Sequence, residues 1–330
     1  MDKLPLYPLQ FEPIFQYRLW GGRNLTEVFN RPLPGKDPIG EAWLLSDRDD
    51  YQSRVMNGPL EGWTLRKLMD KYPGQLMGKL NGRYNKFPLL LKFLDAQKML
   101  SVQVHPSDDY KKLLPPGETG KTEAWVVLKA GDESRIYTGL KPGTTATNLK
   151  ESLSDGTVEN HLSSFVPETG DAVFIPAGTV HTLGGGVVVF EVQRNSDVTF
   201  RLFDWNHVDA KTGQPRALQV DQALECINYA QGAAGPVVPE EIVSSPVKRE
   251  QLFNSRYFRL WRSKGKIPYL TGATHEPRIL VCIDGQGALQ YKENLHMVKK
   301  GDVFMLPAVA GKCTFHPEDT VNMLEIAIPE

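Results

Sequence analysis

The residue with the clearest potential for chemistry ends a short segment, residues 170–181, which reads Gly-Asp-Ala-Val-Phe-Ile-Pro-Ala-Gly-Thr-Val-His. The apolar run at 172–175 predicts a buried strand, and Pro176 followed by Gly178 predicts a tight turn directly after it. Such a turn would carry His181 back over the mouth of a barrel built from strands. His181 is therefore a candidate metal ligand.

Two more potential ligands lie upstream, in the alternating segment 100–106. Gln103 and His105 are two residues apart, so on a strand their side chains share one face while the intervening valine points to the other face. Pro106 then ends the strand or marks its edge. Both polar side chains are therefore expected on the same side of the sheet.

A fourth potential ligand, Glu123, precedes the apolar run at 124–128, which predicts a further strand. Lys121 lies two residues before Glu123 and shares its face. Two histidines with one carboxylate are a common metal-site composition, and a glutamine oxygen can complete the set of ligands. The candidate ligands are Gln103, His105, Glu123 and His181.

Taken singly, each of these features has a simpler explanation. A histidine before a proline, such as His105, is usually a surface or satisfied loop residue. A Lys-x-Glu pair is usually a solvated ion pair that contributes little to stability. The order of the motifs along the chain fits one barrel, however, and the combination favours a real metal site.

The segment 170–181 matches the second motif of the cupin barrels, and the ordered set of motifs resembles the type I phosphomannose isomerases in their short bacterial form. The resemblance extends from about residue 11 to residue 205, including Trp-Gly-Gly at 20–22 and Gly-Glu-Ala-Trp at 40–43, and continues more weakly beyond. One departure from other cupins is Gly185, where the second motif usually ends in asparagine. The motifs that carry the resemblance are Gln103-Val-His105-Pro106, Lys121-Thr-Glu123, Pro-Ala-Gly-Thr-Val-His181 and Ser196-Asp197-Val-Thr-Phe-Arg201.

This resemblance implies a sugar phosphate as substrate. The family interconverts mannose 6-phosphate and fructose 6-phosphate through a cis-enediol, by proton transfer between carbons 2 and 1. The resemblance also places the active-site arginine of the family at Arg201 and its active-site lysine at Lys121. It implies one zinc ion per chain, with the ligands Gln103, His105, Glu123 and His181.

The expected roles of the other polar residues follow from their chemistry. Arg201 stays charged and presents a rigid fork, which suits stabilisation of negative charge on the enediol oxygens. Lys121 has two alternatives, a proton shuttle with a pKa lowered by the metal or a cation that holds the phosphate. Glu41 and Trp20 are cleft candidates by resemblance, with core packing as the alternative for Trp20. Lys92 is either an inward-facing site residue or a lysine on an edge strand.

Two other functions compete with the isomerase interpretation. A non-haem iron oxygenase also uses two histidines and one carboxylate, but Gln103, Lys121 and Arg201 match the isomerase set. A sugar-binding cupin without catalytic activity would be expected to have a broken set of ligands, whereas all four are present. The residues that bind the phosphate are not identified by any motif.

Composition limits the classes of partner. The 330 residues have a formal net charge of −1, so no overall basic excess favours a nucleic acid or an anionic membrane. No apolar run reaches membrane-spanning length, and the N-terminus lacks a signal-peptide core. The cysteines are widely spaced, which favours buried free thiols in a reducing compartment. We therefore expect a cytoplasmic protein, either a monomer or a weak homo-oligomer.

Many short apolar runs separated by glycine and proline predict a mainly β fold, with two cupin-like (jelly-roll) β-barrels and a few added helices. Helices are predicted at 64–71, in one or two pieces within 147–165, and at 221–229. The predicted strands are 42–46, 88–94, 100–104, 124–128, 135–138, 172–175, 187–192 and 199–203.

The segment 231–241 is rich in glycine and proline and predicts a linker. Beyond it, Gly-Asp-Val-Phe-Met-Leu-Pro-Ala at 301–308 repeats the start of the 170–181 motif, but no Gly-x-x-His follows, and His316 lies too far on to replace it. The sequence therefore predicts a catalytic metal-binding domain at 1–235. It also predicts a degenerate cupin-like domain without metal at 236–330.

Overall fold

A computed structural model describes residues 6–330, and residues 1–5, where the N-terminal segment without a signal-peptide core begins, lie outside the described range. The described chain is mostly β-strand, which confirms the mainly β prediction. In chain order the strands are β1 (Leu9–Gln10), β2 (Ile14–Gly22), β3 (Ile39–Leu45), β4 (Asp47–Arg48), β5 (Tyr51–Gln52), β6 (Leu89–Ala96), β7 (Val102–Val104), β8 (Glu123–Lys129), β9 (Ile136–Leu140), β10 (Leu162–Phe165), β11 (Ala172–Ile175), β12 (His181–Leu183), β13 (Val187–Arg194), β14 (Phe200–Phe203), β15 (Glu240–Val243), β16 (Lys248–Asn254), β17 (Arg259–Gly265), β18 (Tyr269–Gly272), β19 (Arg278–Asp284), β20 (Gln286–Tyr291), β21 (Asn294–Lys299), β22 (Val303–Leu306), β23 (Lys312–Pro317) and β24 (Val321–Ala327).

Two sheets form the part of the chain that carries the predicted ligands. One has the order β11-β8-β13-β6-β2-β3, and the other has the order β10-β9-β12-β7-β14. A buried core that includes Trp125 and Val189 of the first sheet and Ile136 and Leu183 of the second lies between them. Strands β6 and β13 are central, which explains why both read as nearly continuous apolar runs instead of alternating ones.

Two further sheets form the C-terminal part, with the orders β1-β22-β19-β24-β17-β16-β15 and β18-β23-β20-β21. Phe304 and Met323 of the first sheet and Leu289 and Phe315 of the second belong to one core. The N-terminal strand β1 pairs with β22 and so lies in a C-terminal sheet. The division of the chain at residue 235 stays a prediction.

Five α-helices connect or cover the sheets. The predicted helix at 64–71 is confirmed, and the Thr64 side chain caps it by accepting a hydrogen bond from the Lys67 backbone N–H at 3.2 Å. Among residues 6–330 no helix has the length and apolar character needed to span a membrane. The helices are α1 (Leu25–Phe29), α2 (Leu65–Lys71), α3 (Pro73–Met77), α4 (Ala146–Asp155) and α5 (Val220–Cys226).

The interval 147–165 is only partly helical, so the prediction of helix through to residue 165 is wrong at its end. Helix α4 stops at Gly156, which has a φ of 70° and provides the left-handed residue that commonly ends a helix. A short 3₁₀ turn follows, and residues 162–165 then pair with β9 as the edge strand β10. Tertiary pairing therefore overrides the local pattern there.

Candidate active site

Three of the four predicted ligands meet in the interior of the first pair of sheets. His105 follows β7, Glu123 begins β8 and His181 begins β12, and all three side chains are buried. Their potential ligand atoms lie within 4.8 Å of one another. Glu123 Oε2 lies 3.3 Å from His105 Nε2, and Glu123 Oε1 lies 3.3 Å from His181 Nε2. This buried group could hold a metal ion.

The histidines are oriented in the way that metal ligands require. Nδ1 of His105 lies 2.9 Å from the Val198 carbonyl, and Nδ1 of His181 lies 2.9 Å from the Thr179 carbonyl. Because each Nδ1 carries the proton that it donates, each Nε2 presents a lone pair toward Glu123. Burial, together with the charge of Lys121, lowers the pKa of His105 to about 3, so the imidazole is neutral.

Unpaired buried atoms fit the same interpretation. Among residues 6–330, His105 Nε2 and Glu123 Oε1 are buried without a hydrogen-bond partner, whereas Glu123 Oε2 pairs with Lys121 Nζ at 2.9 Å. Burying the first two atoms unpaired costs free energy, and a cation between the side chains would satisfy both. The donor set of two imidazoles and one carboxylate suits zinc and related divalent ions. The residues present therefore fit a metal.

Gln103 lies beside this group. Its Nε2 is 3.1 Å from His181 Nε2, and its Oε1 accepts a hydrogen bond from Ser101 Oγ at 3.3 Å. A rotation of the amide by 180° would exchange the two atoms and turn the oxygen toward the histidines. The position is set by pairing of β7 with β12, in which Gln103 is opposite His181.

The turn before His181 has the geometry that its sequence predicts. Gly178 has a φ of 85°, which glycine adopts without strain, and its N–H donates to the His105 carbonyl at 2.8 Å. This bond joins the His181 turn directly to the backbone of the other histidine. The Pro-x-Gly segment therefore sets the distance between the two imidazoles.

Lys121 is buried next to the three-residue group. Its Nζ lies 2.9 Å from Glu123 Oε2, as expected for two residues that share a face. Burial alone would raise the pKa of Glu123, but the charge of Lys121 and the contacts with His105 and His181 hold it well below its ordinary value. Glu123 is therefore an ionised acceptor.

A cavity of about 310 Å³ opens beside this group and is lined mainly by charged and aromatic side chains. Five basic residues line it, together with four acidic ones. Glu41 and Trp20, both candidates by resemblance, lie in its wall, and Trp20 also packs in the core between the sheets. The charged lining residues are Arg18, Lys92, Lys121, Arg201, Arg216, Glu41, Glu191, Asp197 and Asp209.

Lys92 faces inward from the central strand β6, which decides between its two alternatives. Its Nζ lies 3.7 Å from Glu41, 3.6 Å from Glu191 and 3.4 Å from Asp197. Burial alone would lower the pKa of Lys92, but the three carboxylates outweigh this effect and raise the pKa above its ordinary value. Burial raises the pKa of Glu191, helped by the charge of Glu123, while Lys92 opposes the rise.

Neither Glu191 nor Asp197 was singled out as a site residue by the sequence analysis. A signal was present for Glu191, because it is a lone carboxylate inside the apolar run of β13. Its Oε2 accepts a hydrogen bond from Trp125 Nε1 at 3.0 Å, and its Oε1 is buried without a hydrogen-bond partner.

Replacing Lys92 by methionine should destabilise the protein by about 3–5 kcal/mol, because it leaves the buried carboxylate of Glu191 without its cation, while Glu41 keeps its pair with Arg18. The matched control Lys86→Met removes an exposed pair with Asp49 and should cost less than about 1 kcal/mol. Urea denaturation of each variant measures both values. Without Lys92 the folded-state pKa values of the neighbouring carboxyl groups rise. The difference in free energy of unfolding between the unaltered protein and Lys92→Met should therefore shrink as the pH falls from 8 to 5. Equal costs for the two variants would contradict this account.

Arg201 lines the cavity from β14 without a carboxylate partner among residues 6–330. A structural ion pair with Asp204 would be the alternative role for Arg201, but Asp204 accepts a hydrogen bond from Arg216 Nε at 2.8 Å instead. Arg201 Nε is buried without a hydrogen-bond partner, and burial together with the charge of Arg216 lowers the pKa of Arg201. Strict alternation would place Thr199, Arg201 and Phe203 on one face. Thr199 lines the cavity with Arg201 but Phe203 does not, and the pairing of β14 with β7 is irregular between Arg201 and Phe203.

Comparison with known proteins identifies the family to which the chain is similar. The family model described as phosphomannose isomerase type I, catalytic domain, matches residues 8–129. A mannose-6-phosphate isomerase of Bacillus subtilis is 34% identical over 313 residues, which cover 92% of this chain and 94% of the relative. A mannose-6-phosphate isomerase of Streptococcus mutans is 31% identical over 303 residues, 91% of this chain and 92% of that protein.

The fold agrees as well. The crystal structure of the mannose 6-phosphate isomerase from Bacillus subtilis superimposes with a TM-score of 0.89 at 29% identity, over 97% of this chain and 99% of that one. The apo form of the enzyme from Salmonella typhimurium shares the fold at 16% identity, with a TM-score of 0.76 over 98% and 99% of the two chains. Identity above 30% over nearly the whole length, with the motifs and the buried His-Glu-His group in place, shows that this chain belongs to the type I phosphomannose isomerase family.

Proposed function

We propose that this protein interconverts mannose 6-phosphate and fructose 6-phosphate, with one zinc ion bound per chain in the first pair of sheets. The observation that carries the proposal is the buried His105, Glu123 and His181 group beside a cavity lined by five cationic side chains. A phosphorylated sugar is the ligand class that such a cavity suits, because it brings both an anion and hydroxyl groups. The names of the relatives point to the same substrates.

His105, Glu123 and His181 would hold the metal, and Gln103 would complete its ligands once its amide oxygen faces the histidines. The two Nδ1 hydrogen bonds keep both imidazoles fixed whether or not a ligand is present. When bound, zinc supplies a Lewis acid that stabilises negative charge developing on the substrate oxygens. We propose zinc because two imidazole nitrogens and a carboxylate in one buried group suit its preferences.

Lys121 is assigned to the proton transfer. Carbons 1 and 2 of the open-chain sugar must lie near the metal ligands, whereas the phosphate on carbon 6 lies at the far end of the molecule. Lys121 Nζ is 2.9 Å from Glu123, so it lies at the reacting end of the cavity. This position favours the shuttle over the phosphate-binding alternative.

Arg201 is assigned to charge stabilisation. It is opposite Gln103 in the pairing of β14 with β7, so it also lies at the reacting end. Within the described part of the chain this guanidinium has no carboxylate partner. Because it is held in a largely buried wall, it is already oriented for an anion that forms during the reaction. We assign to it the enediol oxygens of the intermediate.

Two further expectations belong to the proposal. All three cysteines are buried and unpaired, which supports a reducing, cytoplasmic location. The catalytic residues named above come from a single chain, so the site is compatible with a monomer or a weak homo-oligomer.

A coupled assay tests the function directly. Zinc-loaded protein should form fructose 6-phosphate from mannose 6-phosphate and carry out the reverse reaction. Glucose 6-phosphate, which differs only at carbon 2, serves as the control aldose and should be converted much more slowly. Failure to convert mannose 6-phosphate in zinc-loaded, folded protein would contradict the proposal.

A further inference from the structure

The segment that follows helix α5 lies against the residues that carry His181. We define the strap as residues 228–237, which run from the end of α5 toward β15 of the C-terminal part. At its start, Asn228 N–H donates to the Gly178 carbonyl at 2.9 Å. At its end, Val237 N–H donates to the Ala172 carbonyl of β11 at 2.8 Å. The strap is therefore attached at the Pro-x-Gly turn itself and at the start of strand β11, which leads into that turn.

Gln231 makes the most specific contact of the strap. Its Nε2 donates to Thr179 Oγ1 at 2.6 Å, and Thr179 Oγ1 in turn donates to the Pro176 carbonyl at 2.8 Å. The carbonyl of the same threonine accepts the Nδ1 hydrogen bond of His181. Thr179 is almost fully buried. Gln231 therefore holds Thr179 in place, and Thr179 in turn orients the imidazole of His181.

The strap also contacts the strand beside His181. Thr138 is opposite His181 in the pairing of β12 with β9, and its Oγ1 donates to the Ala234 carbonyl. Next to it, Gly139 has a φ of 81°, and a Cβ there would lie 2.8 Å from Ala233 Cα. A side chain at Gly139 would thus collide with the strap. The close approach is built into both segments.

We propose that the strap positions His181 for metal binding, with Gln231 as its main positioning residue. The inference rests on the proposed metal centre, because the strap acts through a ligand of that centre. Outer hydrogen bonds of this kind orient a ligand and commonly contribute 10–100-fold to metal affinity. Gln231 itself contacts neither the metal ligands nor the cavity, so its effect is expected on metal retention and not on substrate binding.

The test is the rate of zinc release from the full-length protein into excess chromogenic chelator. Gln231→Leu keeps the bulk of the side chain but removes the donor, and it should release zinc on the order of tenfold faster than the unaltered protein. Gln222→Ala, an exposed glutamine on α5, is the matched control and should release zinc at the normal rate. The thermal midpoint of the metal-free Gln231→Leu protein should be close to that of the metal-free unaltered protein.

A double-mutant cycle isolates the hydrogen bond. Thr179→Val removes the hydroxyl, whereas Thr179→Ser keeps it. If Gln231 acts through Thr179, the double variant Thr179→Val with Gln231→Leu should release zinc at the same rate as Thr179→Val alone. The double variant Thr179→Ser with Gln231→Leu should release zinc faster than Thr179→Ser alone. An unchanged zinc release rate in Gln231→Leu would contradict the proposed role of the strap. Destabilisation of the metal-free Gln231→Leu protein without faster zinc release would contradict it as well. Absence of zinc binding by the unaltered protein would instead overturn the metal centre, and the strap with it.

Discussion

Replacing His105 by alanine should lower zinc affinity by more than about 100-fold, because it removes a direct ligand. Loss of a hydrogen bond to a ligand commonly costs 10–100-fold, and loss of the ligand itself should cost more. Isomerase activity should fall with occupancy. The change leaves Glu123 with one imidazole and Lys121 as its buried partners. His181→Ala should behave in the same way, because the two histidines contact the carboxylate symmetrically, at 3.3 Å each.

The measurement is zinc content by elemental analysis after dialysis, together with activity in the coupled assay. His316→Ala is the control, since His316 is a half-buried histidine of the C-terminal part that pairs with Gln290. Circular dichroism establishes that each variant is folded. Normal zinc content and activity in folded His105→Ala protein would remove His105 from the metal centre.

Arg201→Ala should lower kcat and kcat/KM together by about 10²–10³-fold while zinc is retained. The magnitude follows from the loss of one well-placed donor to a developing oxyanion. The guanidinium has no carboxylate partner in the described chain and a buried, unpaired Nε, so its removal should not leave an unpaired buried anion behind. Stability is therefore expected to change less than activity.

Steady-state kinetics on zinc-loaded Arg201→Ala protein decides between two roles. An interaction made only in the transition state lowers kcat, whereas an interaction that binds only the ground state raises KM and leaves kcat nearly unchanged. Arg201→Lys should restore little activity, because a single ammonium lacks the planar fork. An unchanged kcat in Arg201→Ala would contradict the assignment to the enediol.

The strands that carry the site were predictable from the sequence because their patterns are simple. Each predicted strand overlaps a strand in the structure, with ends shifted by up to a few residues. The shared faces of Gln103 with His105 and of Lys121 with Glu123 follow from the two-residue period alone. The convergence of β7, β8 and the turn after β11 depends on non-local pairing, and there the family resemblance supplied the expectation.

Other features could not be read from local patterns. The carboxylates around Lys92 come from β3, β13 and the segment after β13, which only the sheet order brings together. The helical pattern near residue 162 is overridden by pairing with β9. The linker prediction at 231–241 covers a segment that is irregular only up to the start of β15 at Glu240. The role of Gln231 within it depends on a contact with Thr179, 52 residues away in the sequence.

The central claim is that the His105, Glu123 and His181 group binds the metal on which isomerase activity depends. The most direct measurement is activity against bound zinc, as metal-free protein is titrated with zinc and both quantities are followed in the same samples. The account predicts that fructose 6-phosphate formation rises in proportion to occupancy and levels off at one zinc per chain, with no activity at zero occupancy. Full activity in protein shown by elemental analysis to be free of metal would contradict it.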